Sequence, residues 1–519
     1  MKNAKKPVKQ NQTQRQCAAN ILAQLNLGYD VNNGQPVVVP PTGPVLVTAN
    51  CPYSANESIA LLHLLLKHRA DVKILGDRQL EQVEGLAQNI IAPLRSALSW
   101  LANGGLLIVF PAGGGNITDI SRLARKTEAS VLPVYIESPA PLTGQLFSPD
   151  KKLHIWLGKP IAAARLKRFG NEDETARYLR LHSHMLISAK HQKLQRAGID
   201  PAPEPRYEEI ISPIPRSYLA LEVKQLGPEQ KLATSANIGV YLARSEQIPH
   251  ALREIGRLRE ITFREVGEGT GKAIDIDLHD RFYLHLFLWD RDKNRIAGAY
   301  RLGLSDQIIR QHGKKGLYTQ TLFKLHTRFL QSLSPAIELG RSFICREYQK
   351  TIMPLLLLWK GIGAFIVRNP QYSTLFGPVS ISNDYCPASR QLLIDYLKIG
   401  SFDDPLRKFI KARHPYRGKT RPIWHKYDLA NIGSFEALSD LVSLLEGDGK
   451  GAPVLLRHYV NIGGRMLDFN VDQSFGNCVD GLVVVDLCKT DDRILSRYLG
   501  APGLERFKQY HDRTLVMTA

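Results

Sequence analysis

The chain has 519 residues, of which 44% are hydrophobic and 23% charged, as is ordinary for a soluble globular protein. Its formal net charge of +19 predicts anionic partners, either an anionic membrane surface or an acidic carrier protein, with a merely basic enzyme as the alternative. Nucleic acid is excluded as a partner, because the sequence has no helix-turn-helix cue, no zinc-ligand spacing and no aromatic RNP-like strand.

Cysteine spacing and hydropathy predict a cytoplasmic location. The six cysteines form no CxxC pair, which indicates reduced thiols and no metal site. The longest apolar stretch, 354–367, is shorter than a membrane-spanning helix and contains Lys360, so we expect a buried helix there. A basic N-terminus, 1–9, either touches anionic lipid or is an unstructured tail. We therefore expect the protein to bind the inner face of the cytoplasmic membrane peripherally.

A proline-rich segment, 198–216, predicts a boundary near residue 205 and domains at 1–205 and 206–519. In the first domain, short apolar runs alternate with amphipathic stretches, which is typical of an α/β sheet covered by helices. The predicted strands are 44–50, 72–76, 106–112, 131–137 and 153–158, and the predicted helices are 57–69, 79–102 and 171–193.

The first predicted strand is followed by "NCPYSAN", residues 50–56, in a region (about 40–165) that resembles the glycerolipid acyltransferases. That family has Asn-His-x4-Asp at this turn, and its histidine is the general base. Here Cys51 stands at the histidine and Asn56 at the aspartate. In "VFPAGGGN", where the family has Phe-Pro-Glu-Gly-Thr, Ala112 stands at the glutamate and is followed by Gly113. The resemblance implies an acyltransferase-like α/β sandwich, and the replacements predict that its catalysis is lost.

Three questions remain open for this domain: the role of Cys51, the role of the glycines after Ala112, and the role of the domain as a whole. Cys51 follows a strand at the start of a helix, where a thiol pKa is lowered, so it is a candidate nucleophile. The glycines after Ala112 either expose backbone N–H groups to a phosphate or form a tolerant loop. The domain is otherwise a membrane-docking or regulatory module, or a weak O-acyltransferase.

The second domain has longer predicted strands. Segments 281–290 and 295–304 flank the turn "RDKN" and predict a hairpin. Strands at 336–344 and 374–382 enclose a helix at about 350–367. This pattern is compatible with an N-acetyltransferase-like mixed sheet with helices.

Ordered motifs in 235–487 resemble the ornithine-lipid N-acyltransferases of the N-acetyltransferase-like superfamily. They include "EIGRLREITFREVGEGTG", "DIDLHDRFYLHLFLWD", "ELGRSFICREYQ" and "PVLLRHYVNIGGRMLDFNVDQSF". With the first domain, the whole chain resembles the bifunctional ornithine-lipid synthases. The resemblance implies transfer of a 3-hydroxyacyl chain to the α-amino group of ornithine or a similar amino acid.

The signature "ELGRS" supplies the candidate catalytic residues Glu338 and Arg341, followed by Ser342 as a substrate-binding candidate. An α-amino group is mostly protonated at neutral pH, so a base must remove a proton, and we expect Glu338 to do so. Because side chains alternate along a strand, Glu338 and Arg341 are predicted to point in opposite directions and to have different roles. A structural ion-pair network is the alternative for this pair.

Charged residues upstream are candidates for holding an amino-acid acceptor. Asp275, Asp277 and Asp280 form an acidic cluster that suits a cationic side chain, or else a solvated loop of like charges. Three arginines are candidates for the substrate carboxylate, which suits a guanidinium fork: Arg259, Arg264 and Arg301.

The segment "REYQKTIMPLLL", 346–357, lacks the glycines with which coenzyme A users of the superfamily grip pyrophosphate. We therefore expect no bound cofactor and a donor carried on the phosphopantetheine of an acidic acyl carrier protein. Two alternatives to ornithine acylation stay open, namely a non-catalytic, membrane-associated lipid- or carrier-binding protein and an N-acyltransferase acting on glycine or another amino acid.

Overall fold

The structure of the protein is a computed structural model that describes residues 5–32, 37–50, 55–76, 81, 85–110, 117–137, 152–197, 207–418, 424, 426–446 and 448–518. Contacts divide the chain into two compact units. Unit 1 consists of Met1–Ile199 and Pro422–Gly451, and unit 2 consists of Asp200–Arg421 and Ala452–Ala519.

Unit 1 contains a seven-stranded sheet with the order β1-β7-β6-β2-β5-β3-β4. All its pairs are parallel except β6 with β7. The strands are β1 (Tyr29–Val31), β2 (Val45–Ala49), β3 (Val72–Leu75), β4 (Ile90–Ile91), β5 (Leu106–Val109), β6 (Ser130–Glu137) and β7 (Leu153–Leu157). The central strands β2 and β5 are continuous apolar runs and are buried throughout, as parallel strands covered on both faces are.

Six helices accompany this sheet in the described part of 1–199: α1 (Lys5–Gln24), α2 (Ala55–Leu66), α3 (Leu94–Ala102), α4 (Ile117–Thr127), α5 (Ala163–Leu166) and α6 (Glu172–Ala197). The predicted alternation of strands and helices is confirmed, but the predicted helix 79–102 is wrong in part, because β4 lies within it and α3 begins only at Leu94. Asn50 closes the end of β2 onto β6, because its side-chain amide donates to the Ile136 carbonyl at 2.8 Å and its oxygen accepts from the Ile136 N–H at 2.6 Å.

Unit 2 contains an eight-stranded sheet with the order β16-β17-β14-β13-β11-β10-β9-β8 and a separate pair, β12 with β15. The strands are β8 (Lys231–Ser235), β9 (Ile238–Arg244), β10 (Leu284–Asp290), β11 (Arg295–Leu304), β12 (Phe323–Leu325), β13 (Ala336–Ile344), β14 (Thr374–Ile381), β15 (Ile410–Ala412), β16 (Arg465–Asp472) and β17 (Cys478–Asp486). Only β13 and β14 are parallel in the large sheet. The predicted hairpin is β10–β11, and the mixed α/β fold is confirmed.

Helices of unit 2 cover this sheet: α7 (Arg216–Gln225), α8 (Pro249–Arg264), α9 (Ser305–His312), α10 (Thr319–Leu322), α11 (Thr327–Leu333), α12 (Met353–Arg368) and α13 (Pro387–Gly400). The apolar stretch predicted as a buried helix is α12, which connects β13 to β14. It buries Leu357, Leu358 and Trp359 while Lys360 stays exposed.

The segment between α13 and the C-terminus leaves unit 2 and returns. Its helices α14 (Lys426–Ala430) and α15 (Phe435–Leu445) belong to unit 1 and pack on α6. Arg165, in α5, donates to Asp440 in α15 at 2.5 Å. Unit 2 resumes with α16 (Val454–Asn461), α17 (Asp492–Leu499) and α18 (Ala501–Thr518). The sequence placed everything after residue 205 in one domain, because nothing local marks a segment that packs on a distant helix.

Two neighbouring strands separate in the middle of unit 2. β13 pairs with β14 only through Ala336–Glu338 and Thr374–Phe376. The next residue of β14 is Gly377, where an added Cβ would overlap the Leu339 carbonyl oxygen. Pro378 follows and has no N–H to donate. The ladder therefore ends at residue 376, and the two strands diverge around an opening.

Within the described ranges, no helix is both long enough and apolar enough to cross a bilayer. The same residues contain no group of three or more His, Cys, Asp and Glu side chains arranged to hold a metal ion.

Candidate active site

Most of the motif positions predicted in the first domain lie outside the described residues. Cys51, Ala112 and Gly113 lie outside the described residues, and Asn56 is the second residue of α2. The predicted site residues whose geometry is described are therefore mainly those of unit 2.

The predicted acidic cluster is part of a buried ion-pair network. Arg259, at the middle of α8, donates to both carboxylate oxygens of Asp280 at 2.9 Å, and its Nε lies 3.3 Å from Asp275. All three side chains are 1% exposed.

The network continues to two more arginines. Arg301 Nη1 donates to Asp277 at 2.7 Å, and Arg341 Nε lies 3.2 Å from Asp275. Burial alone would raise the pKa of Asp277, but hydrogen bonding from His279 and the charges of Arg301 and Arg341 lower it well below the ordinary value.

Two predictions about this cluster are therefore wrong. Three carboxylates face three guanidinium groups of the protein itself, so they have no net charge left for a cationic substrate and are not a solvated loop. For the same reason Arg259 and Arg301 hold the fold together and do not await a substrate carboxylate.

Arg264 is also committed elsewhere. Its Nε donates to Glu260 at 2.8 Å, its Nη1 donates to the Glu208 carbonyl at 2.9 Å, and its guanidinium lies 4.6 Å from the Tyr207 ring centroid. This arginine therefore fastens the start of unit 2 to α8.

Glu338 is saturated with hydrogen bonds. Its Oε1 accepts from the Thr319 N–H and hydroxyl, both at 2.5 Å, and its Oε2 accepts from the Tyr318 N–H at 3.2 Å and from the Tyr283 hydroxyl. The side chain is 1% exposed. All four acceptor positions of this carboxylate are used by groups of the protein, so the geometry assigns Glu338 to positioning the 317–319 turn.

The predicted opposition of Glu338 and Arg341 also fails. β13 has an extra residue between its Gly340 and Phe343 pairings with β11, and Arg341 takes a positive φ of 52° in this bulge. The bulge breaks the alternation of side chains. Glu338 and Arg341 consequently both contact Tyr318. Glu338 accepts from the Tyr318 backbone N–H, and Arg341 donates to the Tyr318 hydroxyl at 3.3 Å.

The Arg341 guanidinium lies between two aromatic rings, 4.9 Å from the Tyr318 centroid and 4.5 Å from that of Phe475. Burial would lower its pKa, but Asp275, Tyr318 and Asp277 raise it, so the group stays charged. Arg341 and Ser342 reach the opening between β13 and β14.

A cavity of about 60 Å³ fills this opening. One wall comes from β13 and another from β14, and loops and neighbouring elements complete it. Its lining is Phe263, Glu268, Tyr300, Tyr318, Gly340, Arg341, Ser342, Pro378, Val379, Ser380, Leu455, Asp472, Phe475 and Asp480. Of the predicted site residues that the structure describes, only Arg341 and Ser342 line it.

Three carboxyl groups line the same cavity and are almost fully buried, Glu268, Asp472 and Asp480. Burial raises the pKa of Glu268 to about 7, with hydrogen bonding from Ser380 and the charge of Arg341 acting against that increase. Burial, then the charges of Asp472 and Glu268, raise the pKa of Asp480 well above its ordinary value. Carboxyl groups that repel one another in a dry pocket are suited to proton transfer near neutral pH.

The loop that carries Glu268 is built from alternating glycines. Gly267 and Gly269 have φ of +72° and +106°, which side-chain-bearing residues rarely adopt. Glu260 in α8 clamps the loop, because its carboxylate accepts from the Thr270 N–H at 3.0 Å and the Thr270 hydroxyl at 2.8 Å. Glu268 is therefore held in place by the turn of α8 into this loop.

Sequence reasoning missed the three carboxylates, although each lies in a motif that carried the resemblance. Glu268 lies in "GEGTG", Asp472 in "FNVDQSF" and Asp480 in "DGLVVVDL". The alternating glycines around Glu268 were a usable signal, because glycine is favoured where the backbone takes a positive φ, as it does on both sides of Glu268.

Comparison with known proteins agrees with this architecture. Residues 258–359 match the model of the acetyltransferase (GNAT) domain. A glycine N(alpha)-acyltransferase of Phocaeicola vulgatus is 29% identical over 331 residues, which are 60% of this chain and 97% of that protein. A glycine N(alpha)-acyltransferase of Bacteroides thetaiotaomicron is 34% identical over 202 residues, 37% of this chain and 60% of that protein.

Among solved structures, the 1-acyl-sn-glycerophosphate (LPA) acyltransferase PlsC from Thermotoga maritima is 21% identical, with a TM-score of 0.28, over 35% of this chain and 80% of that chain. The CoA-dependent acyl-homoserine lactone synthase BjaI is 10% identical, with a TM-score of 0.25, over 52% of this chain and 98% of that chain. At these TM-scores the two structures add nothing to the sequence matches.

The chain is an acyltransferase with a GNAT domain in unit 2, and its relatives support transfer to nitrogen. The prediction of an enzyme is confirmed, whereas ornithine as the acceptor is not what the relatives' names indicate.

Proposed function

We propose that unit 2 transfers an acyl chain from a thioester to the α-amino group of glycine. The observation that carries the proposal is the cavity between β13 and β14, which combines one buried guanidinium with three buried carboxyl groups. A zwitterionic amino acid presents the complementary pair of charges.

The size of the cavity favours glycine. At about 60 Å³ the cavity is small, which favours a small acceptor over a long one. Glycine has five non-hydrogen atoms, whereas ornithine has nine. The names of both relatives support the same acceptor.

Arg341 and Glu268 have different roles in the proposed transfer. Arg341 binds the glycine carboxylate, which suits a guanidinium. Unlike Arg259 and Arg301, which are 1% exposed, its side chain is 10% exposed and lines the cavity. Glu268 takes a proton from the ammonium group, and the freed nitrogen attacks the thioester carbonyl carbon. A C–N bond forms and the C–S bond breaks, and the second proton that the nitrogen loses as it becomes an amide passes to the leaving thiolate. The base is therefore Glu268 and not Glu338.

We expect ornithine to be excluded by size. In an equimolar mixture of glycine, alanine and ornithine, we expect N-acylglycine as the main product, with kcat/KM at least tenfold higher than for ornithine. Leu455→Ala should widen the cavity and increase N-acylalanine, whereas the exposed neighbour Val454→Ala should not. Mass spectrometry of the products measures the ratio. A predominance of acyl-ornithine would overturn the glycine assignment.

The donor we propose is a 3-hydroxyacyl chain on acyl carrier protein. Beyond residue 338, the facing edges of β13 and β14 do not pair with each other, so their backbone groups suit the amides of phosphopantetheine in the manner of an added strand. Arg346 follows β13, and its side chain is 81% exposed and 3.8 Å from Glu265. Two exposed apolar residues lie nearby in the chain, Ile352 just before α12 and Met353 at its start. A cationic and apolar surface suits an acidic carrier.

Charge reversal tests this surface. We expect Arg346→Glu to raise the KM for acyl carrier protein about tenfold, because like charges then oppose docking, and to leave the KM for a free acyl-pantetheine thioester unchanged. Lys489→Glu is the matched control, since Lys489 is 78% exposed and also has one acidic neighbour. Equal effects of the two reversals would place docking elsewhere.

For unit 1 we propose no acyl transfer, because Cys51, Asn56 and Ala112 replace the groups that the resembled family uses. Peripheral docking on an anionic membrane surface is the role we propose for it, supported by the net charge of +19.

A further inference from the structure

Three hydroxyl groups from different elements meet beside the cavity. Tyr300 in β11 and Tyr459 in α16 have their hydroxyl oxygens 2.6 Å apart, and Ser342 in β13 hydrogen-bonds to Tyr300. The two tyrosines are 3% and 2% exposed. Tyr300 and Ser342 line the cavity, whereas Tyr459 lies behind them.

The need to satisfy buried protons fixes the direction of these bonds. Within the described residues, Tyr300 is the only hydrogen-bond partner of the Tyr459 hydroxyl. If Tyr300 donated to Tyr459, the Tyr459 proton would be buried without an acceptor, which is unfavourable. Tyr459 therefore donates to Tyr300.

Burial raises the pKa of Tyr300 to about 12, and hydrogen bonding with Tyr459 and Ser342 acts against that increase. Because its oxygen accepts the Tyr459 proton, Tyr300 keeps its own proton for a ligand in the cavity.

We propose that Tyr300 is a catalytic residue whose hydroxyl donates a hydrogen bond to the thioester carbonyl oxygen, and that Tyr459 is a positioning residue acting through it. This role rests on the proposed transfer reaction, because it needs a thioester in the opening between β13 and β14.

The bond changes balance without an additional reactant. As nitrogen adds to the carbonyl carbon, the carbonyl electron pair moves to oxygen, and the oxyanion accepts the Tyr300 hydrogen bond. When the carbonyl re-forms and the thiolate leaves, Tyr300 still has its proton. An accepted hydrogen bond makes a phenol a stronger donor, and a fixed donor in a dry site is worth most where charge develops.

A double-mutant cycle tests this assignment in the full-length protein with 3-hydroxyacyl–acyl carrier protein and glycine. We expect Tyr300→Phe to lower kcat about 100-fold with the KM for glycine within twofold, as removal of one oxyanion donor does. Tyr459→Phe should lower kcat about tenfold alone and have no further effect in the Tyr300→Phe background, because it acts only through Tyr300. Tyr372→Phe, a buried tyrosine that donates to Asp306 at 2.9 Å outside the cavity, should change kcat by less than twofold.

Hydrolysis of the donor in the absence of glycine separates this inference from the acceptor assignment. Attack by water forms the same oxyanion, so Tyr300→Phe should slow hydrolysis by the same factor as transfer. If the wild type forms no acylglycine but Tyr300→Phe still slows hydrolysis, the acceptor is wrong and the role of Tyr300 holds. Unchanged hydrolysis and transfer in a Tyr300→Phe protein with wild-type thermal unfolding would overturn the role, as would additive effects of the two substitutions.

Discussion

Glu268→Gln is expected to lower kcat/KM for acyl transfer to glycine by about 10²- to 10⁴-fold, the usual contribution of a general base. The amide has nearly the shape of the carboxyl group but cannot accept the ammonium proton. Initial rates of acylglycine formation measure the loss. Glu265→Gln, three residues earlier, is the matched control and should change the rate by less than twofold, since Glu265 does not line the cavity.

The pH dependence gives an independent test of the same residue. Because Glu268 acts only as the carboxylate and its pKa is raised to about 7, the wild-type rate should fall as the pH decreases below 7. The Glu268→Gln protein should lack this acidic limb. An acidic limb that survives the substitution would show that another group is the base.

The same carboxyl group should weaken unit 2 at high pH. A pKa raised in the folded state means that the stabilisation is complete below the ordinary value of 4.5 and is lost as the pH increases through about 7. A difference of about 2.5 pKa units corresponds to about 3 kcal/mol. We therefore expect Glu268→Gln to be more stable than the wild type at pH 8, the stability cost of a catalytic carboxylate.

Asp280→Asn should destabilise unit 2 by about 3–5 kcal/mol, because it leaves the buried Arg259 and Arg301 guanidinium groups with one carboxylate too few. Asp280 accepts two hydrogen bonds from Arg259 and also lies 3.3 Å from Arg301, and all three side chains are 1% exposed. Hydrogen exchange of the β10 and β11 amides measures the change in the free energy of opening.

The control for this prediction is a surface pair on the same unit. Asp486 lies 3.2 Å from Lys489, and the two side chains are 29% and 78% exposed, so Asp486→Asn should cost no more than about 1 kcal/mol. A loss below 1 kcal/mol for Asp280→Asn would contradict the network assignment.

Acid should reduce the difference between wild type and Asp280→Asn. Burial would raise the pKa of Asp280, but Arg259 and Arg301 lower it below the ordinary value. A lowered pKa stabilises the fold above the unfolded-state value of about 3.9, and this stabilisation is lost as the pH falls through the folded-state value. The deficit of the variant should therefore be largest at neutral pH.

Local patterns were sufficient for the framework of the site. The prediction of a strand at 336–344 matches β13, and that of a strand at 374–382 matches β14 to within one residue. "ELGRS" lies on the first of these strands, and two of the site residues predicted from it, Arg341 and Ser342, line the cavity. The apolar run and the helix signals between the strands likewise predicted α12.

Two of the wrong predictions come from rules that tertiary structure overrides. Side-chain alternation requires a regular ladder, and the bulge at Arg341 removes it, so Glu338 and Arg341 contact the same tyrosine. A run of aspartates looks like an unpaired acidic cluster until the fold brings Arg259 from α8 and Arg301 from β11 against it.

The sequence alone therefore determined the mixed α/β fold, the acyltransferase class and the two strands that carry the site, because each depends on neighbouring residues and ordered motifs. Only the tertiary structure decided which carboxyl groups can work. Glu268, Asp472 and Asp480 come from a loop and from two strands some 200 residues further along the chain. Folding removes water and brings them together around Arg341, and burial then raises the pKa of Glu268 and of Asp480.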